Sequence, residues 1–322
     1  MTRFLIRRIV LGLITVWVIM SAAFILFQVA PNDPAALRLG RAAVGNPLAL
    51  QQERKLLGLN HSTLYQYWHF MWNAVRLDFG RSDVNLLPVT KIMLKALPID
   101  ISLAIGGVIL WTTLGVGVGV IAARRPRGWL DRVATLFVLA GISLPTFVLG
   151  LLLLFFFYFW LSIHGVRIFP KPGSYESFGK NPLTWAHDLI LPWVTLALIT
   201  AAIYARLTRS ALLDTLGEDY VRTARAKGIS ERRVVYRHAL RAALTPLTTQ
   251  LGIDVATVLG GAIITETVFG LQGLGLNVVE AIRSQNLNVI EGVVVLAAFF
   301  TVFANIVVDA TYALLDPRVR IQ

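Results

Sequence analysis

Residues 218–246 read EDYVRTARAKGISERRVVYRHALRAALTP, a basic and helix-forming stretch between two strongly apolar segments. A short loop between membrane spans needs only a few charges to orient its neighbours, and this loop is much longer. Gly228 lies between two helical patterns within it. Taken alone, the stretch is equally consistent with a solvated positive loop and with a docking element for a soluble partner.

The composition is that of an integral membrane protein. Of the 322 residues, 56% are hydrophobic and 15% are charged, and the mean hydropathy is +0.67. Soluble domains carry roughly 25% charged residues. The chain has no cysteine, which excludes disulfides, thiolate catalysis and zinc–thiolate sites.

Six apolar stretches are long enough to cross the hydrocarbon core, which takes about 20 residues. They are 9–30, 101–122, 133–161, 189–208, 246–268 and 291–315. We therefore predict an all-α integral membrane protein with six transmembrane helices. The first stretch follows Arg3, Arg7 and Arg8, as a signal peptide does. Because its apolar run exceeds the roughly 7–15 residues of a cleavable region, we expect a retained signal-anchor.

The distribution of Lys and Arg predicts the orientation of the chain. Lys and Arg are frequent before the first span, between the second and third spans, from Arg206 to Arg241 and in the C-terminal tail. The short loops on the other side carry only Arg167, Lys171, Lys180 and Arg283. Both termini are thus predicted to be cytoplasmic. The net charge of +12 follows this topology, so no nucleic-acid partner is expected.

The segment 31–97 is longer than a connection between two spans requires. It opens with a turn-forming cluster, Pro31-Asn-Asp-Pro34, and then has a helical pattern at 48–57 that ends at Gly58. An aromatic stretch at 65–72 follows. Trp68 and Trp72 lie one helical turn apart, a spacing typical of an aromatic anchor at the lipid interface. A docking surface for another protein is the alternative.

Enzymatic motifs fail on their spacing. The stretch 173–181 imitates a phosphate loop but has five residues between its glycines and Asn after the Lys. Gly141-Ile-Ser143-Leu-Pro145 imitates a nucleophile elbow but has Pro for the second Gly, so we predict a helix kink there. The histidines show no metal-ligand spacing. We predict no catalytic residue and no metal site.

Within the basic stretch, Leu212 to Lys227 are good helix formers, and Glu218 and Asp219 are favourably located if they open a helical turn. Gly228 is suited to end that helix. Ser230 is suited to cap a second helix that contains Arg232, Val234, Val235 and Arg237.

Tyr220-Val-Arg-Thr-Ala-Arg-Ala-Lys-Gly228, followed by His238-Ala-Leu-Arg241 and Pro246, resembles the EAA loop of ABC-transporter permeases in its peptide-importer form. Ala224, Gly228 and Leu240 fit the general pattern. Arg222, Thr223 and Arg241 depart from it in the manner of the peptide subgroup. Further motifs agree along nearly the whole chain: 77–80, 206–210, 265–269, 273–275 and 316–320. Leu271-Gln272 stands where Trp-Pro is common.

The resemblance is to the B-type permease subunit of dipeptide and oligopeptide ABC importers. It implies a type I importer permease fold in a bacterial or archaeal cytoplasmic membrane, working by alternating access. The implied partners are a homologous second permease subunit, two cytosolic ATPases, an extracytoplasmic substrate-binding protein, the peptide and membrane lipid. No cofactor is implied for this chain, because ATP and Mg would be bound by the ATPases. A signal-anchor and extracytoplasmic segment, 1–97, would precede a permease domain, 98–316, that contains the coupling loop 209–245.

Three sets of site residues follow from this resemblance and from the charges in the spans. The ATPase-coupling residues are Ala224, Gly228, Ser230, Arg232, Arg233, Val234, Arg237 and Leu240. The candidate docking positions for the binding protein are Gln51, Asn60 and Asp83. Asp254 and Glu266 are charged residues in the fifth span, where insertion of an ionised group costs about 2.5–3.5 kcal/mol. Asp254 is a candidate for the pathway or for a structural hydrogen bond, whereas Glu266 is expected to brace the Gly273-Leu-Gly275 turn.

Two questions stay open at this level. Related importers carry nickel or glutathione, so the cargo is less secure than the family. An ion-coupled secondary transporter is the alternative class, because it also needs six or more spans and buried carboxylates. In addition, Gly115 and Gly119 form a GxxxG pair in the second span, for which packing within the chain is favoured over a dimerisation face.

Overall fold

The computed structural model describes residues 2–29, 34–39, 46–56 and 58–315. The regular structure of these residues is helical, with one isolated bridge between Arg81 and Pro88. The turn predicted at 31–34 lies outside the described residues, except for Pro34, which begins a helix. The family-like segment 316–320 also lies outside them.

The helices are α1 (Thr2–Phe24), α2 (Pro34–Leu39), α3 (Pro47–Leu56), α4 (Thr63–Val75), α5 (Val89–Arg124), α6 (Trp129–Ser143), α7 (Thr146–Leu153), α8 (Leu161–Ile163), α9 (Pro182–Leu216), α10 (Asp219–Ala226), α11 (Glu231–Arg233), α12 (Leu240–Ala243), α13 (Thr245–Leu259), α14 (Ile263–Phe269), α15 (Leu274–Arg283) and α16 (Leu287–Leu315). The π-helical turns Ile25–Val29, Leu154–Trp160 and Val234–Ala239 extend α1, join α7 to α8 and join α11 to α12. We call the end of the bundle that carries residues 217–244 the loop end, and the opposite end the far end.

The six-span prediction is confirmed with changed boundaries. Within the described ranges, five helical stretches are long and apolar enough to cross a membrane: Ile6–Val29, Val89–Arg124, Thr146–Ile163, Pro182–Leu216 and Leu287–Val307. The count reaches six if Glu231–Ala243, at the loop end, and Thr245–Leu259, which meet at a bend of 52°, are taken together as one bent span.

α5 and α9 pack together at the centre of the fold. A Cβ atom at Gly115 would lie 2.8 Å from the Ala201 carbonyl oxygen, and one at Gly119 would lie 2.7 Å from that of Ala205. Small residues at this spacing let two helix backbones approach closely in lipid. The GxxxG pair therefore packs within the chain, as expected. Gly117 points elsewhere, because a Cβ there would meet nothing within 4 Å.

The predicted third span, 133–161, is two helices and not one. α6 ends at Ser143, Leu144 is extended (φ −90°, ψ 122°), and α7 begins after Pro145. Proline disfavours helical backbone at the residue before it, so the expected kink is a complete break. α6 is held to the loop-end half of α9, where Arg209 Nε donates to Asp131 Oδ1 at 2.6 Å. α7 follows along the far-end half of the same helix.

The fifth span also ends earlier than predicted, at Leu259 and not at 268. Gly261 has φ +112°, and a Cβ there would lie 2.9 Å from the Cα atom of Gly275. Only glycine tolerates both the backbone angle and the close approach. The chain therefore leaves α13 at Gly260-Gly261 and continues as the short helices α14 and α15.

Residues 58–88 cover the far end of α1 and α16. The Tyr67 hydroxyl lies 2.9 Å from the Ser21 hydroxyl, and its ring packs edge-on against Phe24. Asn286 Nδ2 donates to the Ser82 hydroxyl at 2.7 Å just before α16 begins. The helical pattern predicted at 48–57 corresponds to α3, and Gly58 follows α3 with φ +68°. The aromatic stretch 65–72 lies within α4.

Candidate functional site

The loop end is built from short helices that follow α9. The helix predicted from Leu212 to Lys227 is interrupted, because α9 ends at Leu216 and α10 starts only at Asp219. Gly217 and Glu218 separate them, and Glu218 is extended (φ −69°, ψ 148°), the conformation of a residue that precedes a helix. The side chain of Glu218 makes no capping hydrogen bond.

Gly228 ends α10 as the sequence predicts. Its φ is +74°, its N–H donates to the Arg225 carbonyl at 2.9 Å, and the N–H of Ile229 donates to the Ala224 carbonyl at 3.3 Å. This pair of bonds is the Schellman arrangement of a helix end, which requires a left-handed residue at this position. A Cβ at Gly228 would meet nothing within 4 Å, so the backbone angle is what selects glycine.

The second helical stretch begins after Ser230. The Ser230 carbonyl accepts the N–H of Arg233 at 2.8 Å, whereas its side chain makes no capping hydrogen bond, contrary to the expected hydroxyl cap. Arg225 joins the two helices instead, because its Nη2 donates to Glu231 Oε1 at 2.8 Å. Hydrogen bonding to Arg225 lowers the pKa of the Glu231 carboxyl below its ordinary value. The bridge is therefore intact at neutral pH and is lost only as the pH falls through that lowered pKa.

Part of the predicted coupling set faces the interior of this chain. Val234 is fully buried and Ala224 is buried, in an apolar cluster with Val120 of α5 and Leu212 of α9. Leu240 is half-buried against the same cluster. These three side chains fill the core that attaches the loop to α5 and α9, so they shape the loop from inside and are not presented on its surface.

The rest of the predicted coupling set lies on the surface. Gly228, Ser230, Arg232, Arg233 and Arg237 are exposed. Two tyrosines belong with them but were not selected from the sequence: Tyr220 and Tyr236, each 47% exposed. The sequence contained an indication of their exposure, since both are aromatic residues within a polar and basic loop. We call these seven residues the loop-end surface.

A groove of about 600 Å³ lies between α5 and the bend between α12 and α13. Thr112, Thr113, Val116, Gly117, Tyr204, Arg241, Leu244, Thr245, Leu247, Thr248 and Leu251 line it. The bend itself follows Leu244, whose N–H donates to the Leu240 carbonyl at 2.9 Å. The groove thus lies directly beside the joint between the loop end and the fifth span.

Asp254 lies on α13 beside an exposed face. Thr249, Ile253 and Thr257 recur along this face and are exposed, and Asp254 beside them is half-buried. Gln250 Nε2 donates to Asp254 Oδ1 at 3.0 Å, and the Tyr204 hydroxyl of α9 interacts with the same carboxyl group. A half-buried carboxylate next to exposed threonines is typical of a span that faces water or protein and not lipid.

Glu266 lies in a different cluster from Asp254. It is fully buried on α14, and its Oε2 accepts the N–H of Leu276 at 2.8 Å, immediately after the Gly273-Leu-Gly275 turn. Asp100 of α5, a residue that sequence analysis did not select, contacts the same turn, because its Oδ2 accepts the N–H of Leu274 at 2.9 Å. The feature that could have identified Asp100 from the sequence is its position as a lone acidic residue at the start of an apolar span.

At the far end, α4 presents an apolar stripe. Leu64, Trp68, Trp72 and Val75 follow one another at helical spacing and are each more than half exposed. The Arg76 guanidinium lies 4.3 Å from the centre of the Trp72 ring. Such a stripe fits the lipid interface. The docking positions Gln51, Asn60 and Asp83 are exposed as well.

Residues 115–321 match the family described as binding-protein-dependent transport system inner membrane component. Residues 1–104 match the corresponding N-terminal family. The chain belongs to this permease family. That membership removes the ion-coupled secondary transporter from the alternatives.

Among the relatives of the permease is the "Probable peptide ABC transporter permease protein" of Sinorhizobium fredii, 38% identical over 320 residues that cover 98% of this chain and 99% of that protein. The glutathione transport system permease protein of Escherichia coli K12 is 36% identical over 321 residues, which cover 99% of each chain. The fold resembles that of the inward-facing MetNI methionine ABC transporter, with a TM-score of 0.53 at 19% identity over 70% of this chain and 96% of that one. The permease thus has the type I ABC importer fold.

Single cysteines on α13 test whether its exposed face meets water, because the permease has no native cysteine. We expect Ile253→Cys and Asp254→Cys in the assembled transporter to react with a small hydrophilic maleimide in at least one nucleotide state. Ala256→Cys is the matched control, since Ala256 is buried and should stay unreactive. An Asp254→Cys variant that is unreactive in every nucleotide state would contradict a role in the pathway.

Proposed function

We propose that this permease forms half of the translocation pathway of an ATP-driven peptide importer in a bacterial or archaeal cytoplasmic membrane, with both termini in the cytoplasm. The single observation that carries the proposal is the loop-end surface. It is a basic and aromatic surface on a pre-formed loop that has its own buried core. Relatives named as peptide and glutathione permeases support the choice of cargo.

The partners follow from this role. Two cytosolic ATPases bind ATP and Mg and dock on the loop-end surface, so the permease needs no ATP site of its own. A homologous second permease completes the pathway beside the groove between α5 and α13. An extracytoplasmic binding protein delivers the peptide to the far end, where Gln51, Asn60 and Asp83 are the proposed contacts.

The structure of the loop suggests how ATPase closure reaches the pathway. α11, the π-helical turn and α12 run without interruption to the bend at Leu244, and α13 follows directly. A displacement of the loop-end surface therefore acts on α13 across the bend at Leu244. The buried Val234 and Val235 make the loop move as a unit and not as separate side chains. Asp254 and the exposed threonines of α13 lie on the helix that moves.

Substitution at Gly228 tests the coupling. Gly228→Pro removes the hydrogen bond to Arg225 and forces φ to about −65°, whereas the native φ is +74°. We expect ATP-dependent peptide uptake to fall by roughly 5- to 150-fold, the usual range of a lost coupling energy, while membrane insertion and ATP hydrolysis persist. Gly217→Ala is the matched control, because Gly217 has φ −80°, which alanine adopts freely. Normal transport by Gly228→Pro would exclude this coupling role.

Uptake measurements test the cargo. Cells with and without the permease are given labelled dipeptides, longer peptides, glutathione and nickel. We expect loss of peptide uptake in the deletion and its restoration by the intact gene, with nickel uptake unchanged. Deletion cells that lose only nickel uptake would reassign the cargo and leave the permease function intact.

Photo-crosslinking distinguishes the two proposed roles of the segment 31–97, a docking surface for the binding protein and an anchor at the lipid interface. Crosslinking groups at Gln51, Asn60 and Asp83 should capture the binding protein in the presence of peptide. A group at Trp68, on the stripe assigned to the lipid interface, is the control and should capture lipid. Lipid adducts at all four positions, with transport intact after the segment is shortened, would leave it as a membrane-anchored cap.

A further inference from the structure

Two carboxyl groups are buried together at the start of α15. Asp100 lies on α5 and Glu266 on α14, and both residues have 0% of their surface exposed. A Cβ atom at Gly273, the residue before α15, would collide with the Glu266 carboxylate and would lie 3.2 Å from Asp100 Oδ1. Both carboxyl groups therefore flank the same glycine, which explains why this position has no side chain.

Each carboxyl group accepts one backbone hydrogen bond from the first turn of α15. Asp100 accepts from Leu274 at 2.9 Å, and Glu266 accepts from Leu276 at 2.8 Å. The first-turn N–H groups of a helix have no partner within it, and they favour negative charge. These bonds stabilise one negative charge at the helix start. They leave Asp100 Oδ1 and Glu266 Oε1 buried without a hydrogen-bond partner.

Nothing in the described part of the chain supplies a cation to the pair. α14 has no other charged residue. Among the described residues, the charged side chains on the neighbouring elements at this end form no hydrogen bond or ion pair with either acid. They are the exposed Lys95 on α5, Lys171 in the loop that contacts α14, Glu280 and Arg283 on α15, and the half-buried Asp188 on α9, which accepts the N–H of Glu176. Two ionised carboxylates in one dry site repel each other strongly, and such pairs keep a proton.

We propose that Asp100 and Glu266 bind one proton between them, and that this protonated pair fixes the start of α15 to α5. The proton comes from solvent, stays on one carboxyl group and is donated in a hydrogen bond to the other. One net negative charge then remains for the two N–H donors. Both acids are positioning residues: they hold the α14–α15 segment, which the loop at 170–175 also contacts through the bond from the Gly173 N–H to the Phe269 carbonyl.

The Asp100–Glu266 pair joins three helices of the far end at one point. α5 contributes Asp100, α14 contributes Glu266, and α15 begins between them. α13 connects to α14 through Gly260 and Gly261. Any movement of α13 relative to α5 at this end must therefore either carry the carboxyl pair along or separate it. The proton-binding site is independent of cargo identity, so it does not depend on the proposed function.

Infrared spectroscopy of the assembled transporter tests for the proton. We expect a protonated carboxyl band at neutral pH that shifts in heavy water and is absent from both Asp100→Asn and Glu266→Gln. Asp131→Asn is the matched control. Asp131 is also buried, but it is paired with Arg209 and therefore ionised, so its replacement should leave the band in place. A neutral-pH spectrum without such a band, or a band that survives both substitutions, overturns the proposal.

Thermal stability supplies a second measurement. The midpoint of unfolding of the wild-type transporter should fall from neutral to alkaline pH over the range in which the band disappears. In Asp100→Asn the amide supplies the donor, so this part of the pH dependence should vanish. The wild-type titration alone suffices if neither variant assembles. If the band disappears without a loss of stability, the proton does not fix α15 and the proposal fails. If stability depends on added Na⁺ or Ca²⁺ and not on pH, the two acids bind a cation and not a proton.

Discussion

The close approach of α5 and α9 is the constraint on which the rest of the structure depends. In lipid, helices satisfy their own backbone groups, so two spans associate through packing and a few polar contacts. Here Gly106 leaves room for the Trp193 ring, whose Nε1 donates to the Ser102 carbonyl at 2.9 Å. The contact continues along Gly115 and Gly119. A larger residue at these glycines would separate the helices along much of their length.

With 36 residues, α5 is longer than the hydrocarbon core is thick. At about 1.5 Å per residue it is roughly 54 Å long, against a core of about 30 Å. Its loop end contributes Val120 to the core of the coupling loop, and its far end contributes Asp100 to the carboxyl pair. α5, paired with α9, therefore contributes to both the loop core at one end and the carboxyl pair at the other.

The sequence predicted structure correctly where a residue type is needed for one physical reason only. Gly228 required a left-handed angle, and apolar length identified the spans. Prediction failed where the outcome depends on neighbours distant in sequence. Val234 has the same local pattern whether it enters a partner or its own core, and only the presence of Leu212 and Val120 beside it decides. The end of α13 likewise depends on the close approach of Gly261 to Gly275, fourteen residues later. The partnership of Asp100 with Glu266 is not encoded in either local sequence.

The burial of Val234 and Ala224 changes what the coupling loop can do. If these side chains were docking residues, the loop would gain its order only when a partner bound, and ordering costs free energy that weakens coupling. Since they form an internal core, the loop-end surface exists before the partner arrives. The α5–α9 contact resists displacement of that core, whereas the bend at Leu244 joins two separate helices. A displacement of Tyr236, as in the proposed function, would therefore meet the resistance of the central pair and would reach α13 across the bend. Under the proposed function, the helix that carries Asp254 is then the part of the chain nearest to the imposed displacement.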